Sequence, residues 1–234
     1  MKVNLIASTI LEDEDWAGTG YVDSGEESSA DELAEFAGRN CYRSFNRPNP
    51  ATRDNVDYLK HILEVGHESV LEHASATFYI EASRSVLAEL ERHRHLSFSV
   101  VSQRYVDPVP LGVHWPPVLA QLPELDRAYA EDVLLHAKDS TDAAYDALML
   151  IFEANKLPRK QAREAARAVL PNMTNSPMVV TGNHRAWRYV IKARWHEAAD
   201  AEIRELAGEL LRQLREIAPG TYQDIPTTPY SYGG

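Results

Sequence analysis

Ala76, Phe78 and Ile80 alternate with Thr77, Tyr79 and Glu81, a period of two that predicts a strand over residues 74–81 with one buried face. Val3 to Ile10 reads as an earlier strand. Elsewhere the apolar period is helical. Leu33, Phe36 and Ala37 fall on one face of a helix starting near Asp31, with Cys41 and Tyr42 close to its end. Val56, Leu59, Ile62 and Leu63 mark a second helix, with Thr52 in place to cap it and Gly66 as its stop.

Ser85 to Leu90 reads as a short helix, and Glu124 to Lys156 as one long or two shorter ones closed by Pro158. Lys160 to Leu170 is a further helix stopped by Pro171. Ala201 to Ile217 is strongly amphipathic through Ile203, Leu206, Leu210, Leu214 and Ile217. The acidic, Gly- and Ser-containing stretch up to Ser29 predicts a flexible loop, and Phe45 to Pro50 breaks the helical pattern. Pro108 to Pro117 reads as an irregular excursion, and Ile225 to Gly234 as a loose, turn-like tail. In Gly66-His67-Glu68-Ser69-Val70-Leu71-Glu72-His73, Ser69 and Glu72 have capping-box spacing, a local role that competes with any functional one.

The 234 residues, 44% hydrophobic and 25% charged, suit one domain spanning 1–234 with ample material for a core. No apolar run approaches membrane-spanning length, and Met1 to Ile6 lacks the apolar region of a signal peptide, so a cytoplasmic protein with no membrane partner is expected. Cys41 is the single cysteine; an internal disulfide and a cysteine-rich zinc site are excluded. The net charge of −11 argues against binding to a nucleic-acid backbone.

That charge is unevenly spread. Residues 84–104 carry +2, residues 158–168 carry +3 and residues 183–194 carry +4, which leaves −20 on the rest. Three basic islands in an acidic chain point to a focused pocket for a small polyanion such as a nucleotide. The first island is the densest. Between Glu91 and Tyr105 lie Arg92, His93, Arg94, His95, Ser97, Ser99, Ser102 and Arg104. Guanidinium forks match phosphate and carboxylate oxygens, and serines add short neutral donors. A helix end with basic residues on its negative pole would gather the same charge with no ligand.

His67 with His73 and His93 with His95 raise a metal site, but neither pair has the i,i+4 spacing of a zinc helix and no third ligand is evident. Structural or ligand-stacking roles rank above metal. No glycine-flanked serine elbow, Walker loop or dinucleotide fingerprint occurs, so arginines and histidines must hold any nucleotide. Cys41, between Arg39 and Arg43, reads as a core or helix-end residue rather than a nucleophile.

Arg92-His93-Arg94, seven residues and then Ser102, continued by Gln103-Arg104-Tyr105, resembles the signature of the flavin-dependent thymidylate synthases. The likeness extends to Gly66 through His73, Ala165 through Pro171 and Asn183 through Arg188 with Arg194, and covers roughly Val3 to Ala218. It implies an α+β subunit with a mostly antiparallel sheet flanked by helices, in a homotetramer whose sites lie where subunits meet. It implies FAD held by His67, Ser69, Glu72, Arg92, His93, Arg94, Asn183 and Arg185, and a uridine nucleotide held by Arg92, Ser102, Gln103, Arg104, Arg167 and Arg194. Arg194, Ser102 and Arg92 carry the catalytic expectation, with Ser102 a substrate donor rather than a nucleophile. The implied reaction is reductive C5 methylation of dUMP, UMP or both, with methylenetetrahydrofolate and NADPH as co-substrates.

The chain departs from the family pattern at Val100, where Gln or Glu is usual, at Ala198, where histidine is common, and at Glu89, where Gln is common. These changes fall on the substrate side. Two readings stay open: a dUMP enzyme that has drifted, or a relative of the members that methylate UMP for nucleoside antibiotics. A noncatalytic protein that kept the flavin and nucleotide pocket is the alternative from another class.

Overall fold

The computed structural model describes residues 1–12, 18–21, 28–45 and 49–231. Its elements run β1 Lys2–Ser8, α1 Ser29–Tyr42, α2 Asn55–Glu64, β2 Ser75–Glu81, α3 Arg84–Leu90, β3 Ser97–Val100, α4 Glu124–Ala154, α5 Arg159–Ala166, β4 Met178–Asn183, α6 His184–Arg194 and α7 Ala201–Ile217. The fold is α+β, with the four strands in one antiparallel sheet ordered β1-β2-β4-β3. The chain also divides into two compact units. One comprises 1–2, 80–92 and 99–178; the other comprises 3–79, 93–98 and 179–234.

β2 alternates as its sequence predicts, with Ala76, Phe78 and Ile80 buried, and in the second unit Phe78 meets Trp187 of α6 edge-on at 5.2 Å. The Trp187 indole donates to the Ala76 carbonyl at 3.0 Å, tying α6 to the strand. α7 buries Ile203, Leu206, Leu210 and Leu214, the stripe read from its period. On the same helix Gln213 donates to the Val3 carbonyl and accepts from the Leu5 amide, both at 2.7 Å, satisfying backbone groups of β1. A smaller core of Ala34, Tyr58, Leu59, Ile62, Val70 and Leu71 joins α1, α2 and the 3-10 segment Glu68–Glu72.

Several local expectations are corrected. α1 buries Asp31, Glu32, Glu35 and Arg39 rather than Leu33, Phe36 and Ala37, which are half-buried. Its inner acids all have partners: Asp31 receives the Gly220 and Thr221 amides, and Glu35 pairs with Arg39 and Asn55. α2 starts after Asp54, not at Thr52, which ends the 3-10 turn Pro50–Thr52. Ser69 and Glu72 lie inside a 3-10 segment whose cap position is His67, so they form no capping box. The C-terminal stretch is tied down as far as Tyr230: Arg215 donates to the Ile225 carbonyl, the Trp195 indole to the Pro226 carbonyl, and Tyr230 bridges to His196. The flexible loop expected before Ser29 falls largely outside the described residues.

In the first unit, residues 124–154 form a single 31-residue helix, and α5 packs against it. Tyr145 is the one residue of α4 that is buried. The proline-rich stretch contains the 3-10 turns Val109–Leu111 and Pro117–Gln121. No helix among the described residues is long and apolar enough to cross a membrane.

Candidate active site

α6 carries the third basic island, with Arg185, Arg188, Lys192 and Arg194 along its length. Asn183 begins it as an N-cap, its side-chain oxygen accepting from the Ala186 amide at 2.8 Å, so this predicted cofactor residue also has a structural task. Arg185 and Glu72, both expected at the flavin, pair with each other while about half exposed. Arg185 further lines a cavity of about 340 Å³ with His67, Ser69, Tyr42 and Cys41. Three predicted cofactor residues, His67, Ser69 and Arg185, thus share one pocket, and Glu72 joins them through Arg185. Gly38 and Tyr58 both line this pocket, and a Cβ on Gly38 would collide with the Tyr58 hydroxyl. Cys41 sits in the last turn of α1, exposed.

Arg188, part of the same basic island, serves the fold. It is fully buried, donates to the Thr221 carbonyl and forms a fork with Asp224, both oxygens at 2.7 Å. Burial opposes the charge on Asp224, yet the Arg188 bond holds that carboxyl below its usual range. Lys192 meets Glu68 at 3.1 Å.

Arg194 closes α6, and its Nε donates to His93 Nε2 at 3.1 Å. The His93 ring is 6% exposed and packs edge-on against Tyr189 at 5.4 Å. Burial, and then the Arg194 charge, lower its pKa to about 4. Its Nδ1 is buried without a hydrogen-bond partner. Arg94 is exposed in the turn that follows. The sequence thus placed His93 and Arg194 in different ligand sets, and the fold puts them in contact.

In the first unit, β3 ends at Val100, half-buried, and the chain turns through Ser102 to Tyr105. The Ser102 carbonyl accepts from the Tyr105 and Val106 amides at 3.0 and 2.9 Å, which fixes the turn. Gln103 is buried with its Nε2 unpartnered, and Arg104 pairs with Glu164 of α5 at 2.9 Å. Arg163, not assigned from the sequence, is buried and donates to the Tyr105 carbonyl. Lys160 lies 5.1 Å above the Tyr105 ring and lowers the phenol's pKa. Arg167, four residues beyond Arg163, is exposed just after α5, and Arg92 is exposed just after α3. The four-residue spacing was the available signal for Arg163; Tyr189 and Asp224 gave none.

The residues present fit a flavin nucleotide. A pocket lined by a histidine, a serine and an arginine supplies donors for a pyrophosphate, and the buried orphan donors of His93 and Gln103 suit polar ligands rather than an apolar core.

The sequence profile described as "Thymidylate synthase complementing protein" matches residues 25–220. The chain is 77% identical over 235 residues to a probable flavin-dependent thymidylate synthase of Mycobacterium phage D29, with both chains covered in full. It is 68% identical over 243 residues to one of Mycobacterium phage L5, covering 99% of this chain and all of the relative. It is 48% identical over 242 residues to a flavin-dependent thymidylate synthase of Mycobacterium marinum, covering all of this chain and 93% of the relative. On its profile match and on its full-length likeness to these named synthases, the chain belongs to the thymidylate synthase complementing protein family of flavin-dependent enzymes.

Proposed function

We propose that this chain catalyses the reductive C5 methylation of dUMP to dTMP, with FAD as cofactor and NADPH and methylenetetrahydrofolate as co-substrates. Full-length identity of 77% to a protein named for this activity carries the reading. The same likeness favours an active enzyme over a noncatalytic binding protein, and dUMP over UMP, despite Val100.

His67, Ser69, Glu72, Asn183, Arg185, Arg92, His93 and Arg94 hold the flavin, which when bound and reduced supplies the hydride. Arg104 and Arg167 bind the nucleotide phosphate. Arg104 reaches it by leaving Glu164, an exposed pair worth under about 1 kcal/mol, for charge-assisted bonds to a dianion. Ser102 and Gln103 add neutral donors, and the Arg163 anchor keeps their turn in place. Arg194 stabilises negative charge developing on the uracil ring. A homotetramer acting in the cytoplasm completes the proposal.

Purified protein given dUMP or UMP with FAD, NADPH and methylenetetrahydrofolate is expected to form dTMP from dUMP. No 5-methylated product from either nucleotide overturns the enzyme reading; a large preference for UMP transfers it to the ribonucleotide. In the same assay Arg194→Ala is expected to cost on the order of a hundredfold or more in turnover while the protein stays yellow. Loss of flavin instead would move Arg194 to the cofactor set.

A further inference from the structure

α6 ends at Arg194, and the last carbonyls of a helix have no partners within it. The Trp195 amide closes the final turn on the Ile191 carbonyl at 2.7 Å, but with φ −78° and ψ 61° Trp195 is not a left-handed cap. The returning C-terminal chain holds this end instead. Asp224 forks onto Arg188 of α6, and Arg215 of α7 donates to the Ile225 carbonyl, so the chain is anchored before it reaches Trp195. It then meets Trp195 twice. The Pro226 carbonyl accepts from the indole at 3.2 Å, and the Tyr230 amide donates to the Trp195 carbonyl at 2.9 Å. The Tyr230 carbonyl accepts from the Glu197 amide, also at 2.9 Å, which completes a parallel bridge at His196.

The indole also rests on α7. A Cβ on Gly208 would lie 2.5 Å from its Cζ3 and 2.9 Å from its Cη2. Glycine inside a helix weakens it relative to alanine, and this one leaves room for the ring. We propose that the strap Asp224–Tyr230, acting through Trp195, is a positioning element for Arg194: it fixes the main chain from which that side chain leaves α6. The inference rests on the assignment of Arg194 to the substrate. The strap acts on the backbone, and the contacts of the guanidinium, that to His93 among them, add to it. A misplacement of about 1 Å at a reacting centre can cost on the order of a hundredfold in rate, so a backbone bond outside the pocket can set turnover.

The test compares Tyr230→Pro with Tyr230→Ala. Both lose the ring, and only proline also loses the amide that donates to Trp195. Hydrogen exchange read by mass spectrometry over residues 192–197 is expected to be faster in Tyr230→Pro than in Tyr230→Ala. With dUMP, Tyr230→Pro is expected to lower kcat by about tenfold with KM changed less than about threefold and bound flavin retained, and Tyr230→Ala to lose at least about threefold less. Trp195→Phe keeps a ring over Gly208 but loses the indole donor, and it is expected to lower kcat in the same way without touching the tail. Unchanged exchange in Tyr230→Pro, equal kcat losses in the proline and alanine variants, or full turnover despite faster exchange overturns the proposal. If exchange rises as expected but the wild type methylates no nucleotide, the hold on α6 stands and the proposed function falls.

Discussion

His184 begins α6 with its ring 1% exposed and its Nδ1 2.9 Å from the Tyr222 hydroxyl. Burial lowers its pKa from an ordinary 6.5 to about 4. Between those values the unfolded chain binds a proton that the folded chain does not. Unfolding free energy therefore rises with pH through this window, and the contribution is lost as pH falls from 6.5 towards 4. A shift of this size corresponds to roughly 3 kcal/mol. Urea unfolding at pH 7 and pH 4.5 should show wild type losing about 2–3 kcal/mol more than His184→Gln over that interval. Equal losses would mean that His184 does not sense the pH. His93 titrates low for the same reason, with the Arg194 charge adding to burial, so the two histidines stay neutral wherever the enzyme is proposed to work.

The junction of β4 and α6 depends on one missing side chain. A Cβ on Gly182 would lie 2.4 Å from Leu96 Cδ2 and 3.2 Å from Trp187 Nε1. Leu96 is three residues from His93, and Asn183 caps α6, so strain here reaches both parts of the proposed flavin set. Gly182→Ala is expected to destabilise the fold by about 1–3 kcal/mol and to weaken flavin retention, read by thermal unfolding and by bound-flavin absorbance. Unchanged values for both would show that Leu96 yields without cost. This junction was also the least legible part of the sequence. β2 and α7 declared themselves because one face of each is apolar at a clean period. β4 buries Met178, Val180 and Gly182, too short and too small a pattern to stand out, and α6 buries His184 and Arg188 alongside Trp187, so its inner face looks polar. α1 misled in the same way, since its buried acids have partners distant in sequence. The proposed site residues were named by type and motif. What they touch was not, because Arg163 with Tyr105 and Arg194 with His93 are pairs made only by the fold.

α4 raises the question of what the molecule does with its surface. Thirty-one residues make a helix about 45 Å long, yet one of its side chains is buried. Leu125, Tyr129 and Val133, four residues apart and so on one face, are 86%, 72% and 50% exposed, and Leu150 and Ile151 add to the apolar surface further along. Contiguous exposed apolar surface of this kind is characteristic of association. It supports the homotetramer implied by the family resemblance, in which sites lie where subunits meet. Light scattering on the purified protein is then expected to give about 105 kDa, four copies of the 26.3 kDa chain, and a monomer mass would overturn the assembly. Placing charge in the stripe with Leu125→Asp and Tyr129→Asp should lower the mass. These exposed positions cost the folded subunit little by themselves, so its far-UV circular dichroism should be retained. If subunits share the flavin site, bound flavin falls together with the mass. Mass falling while flavin is fully retained would place the whole cofactor site within one chain.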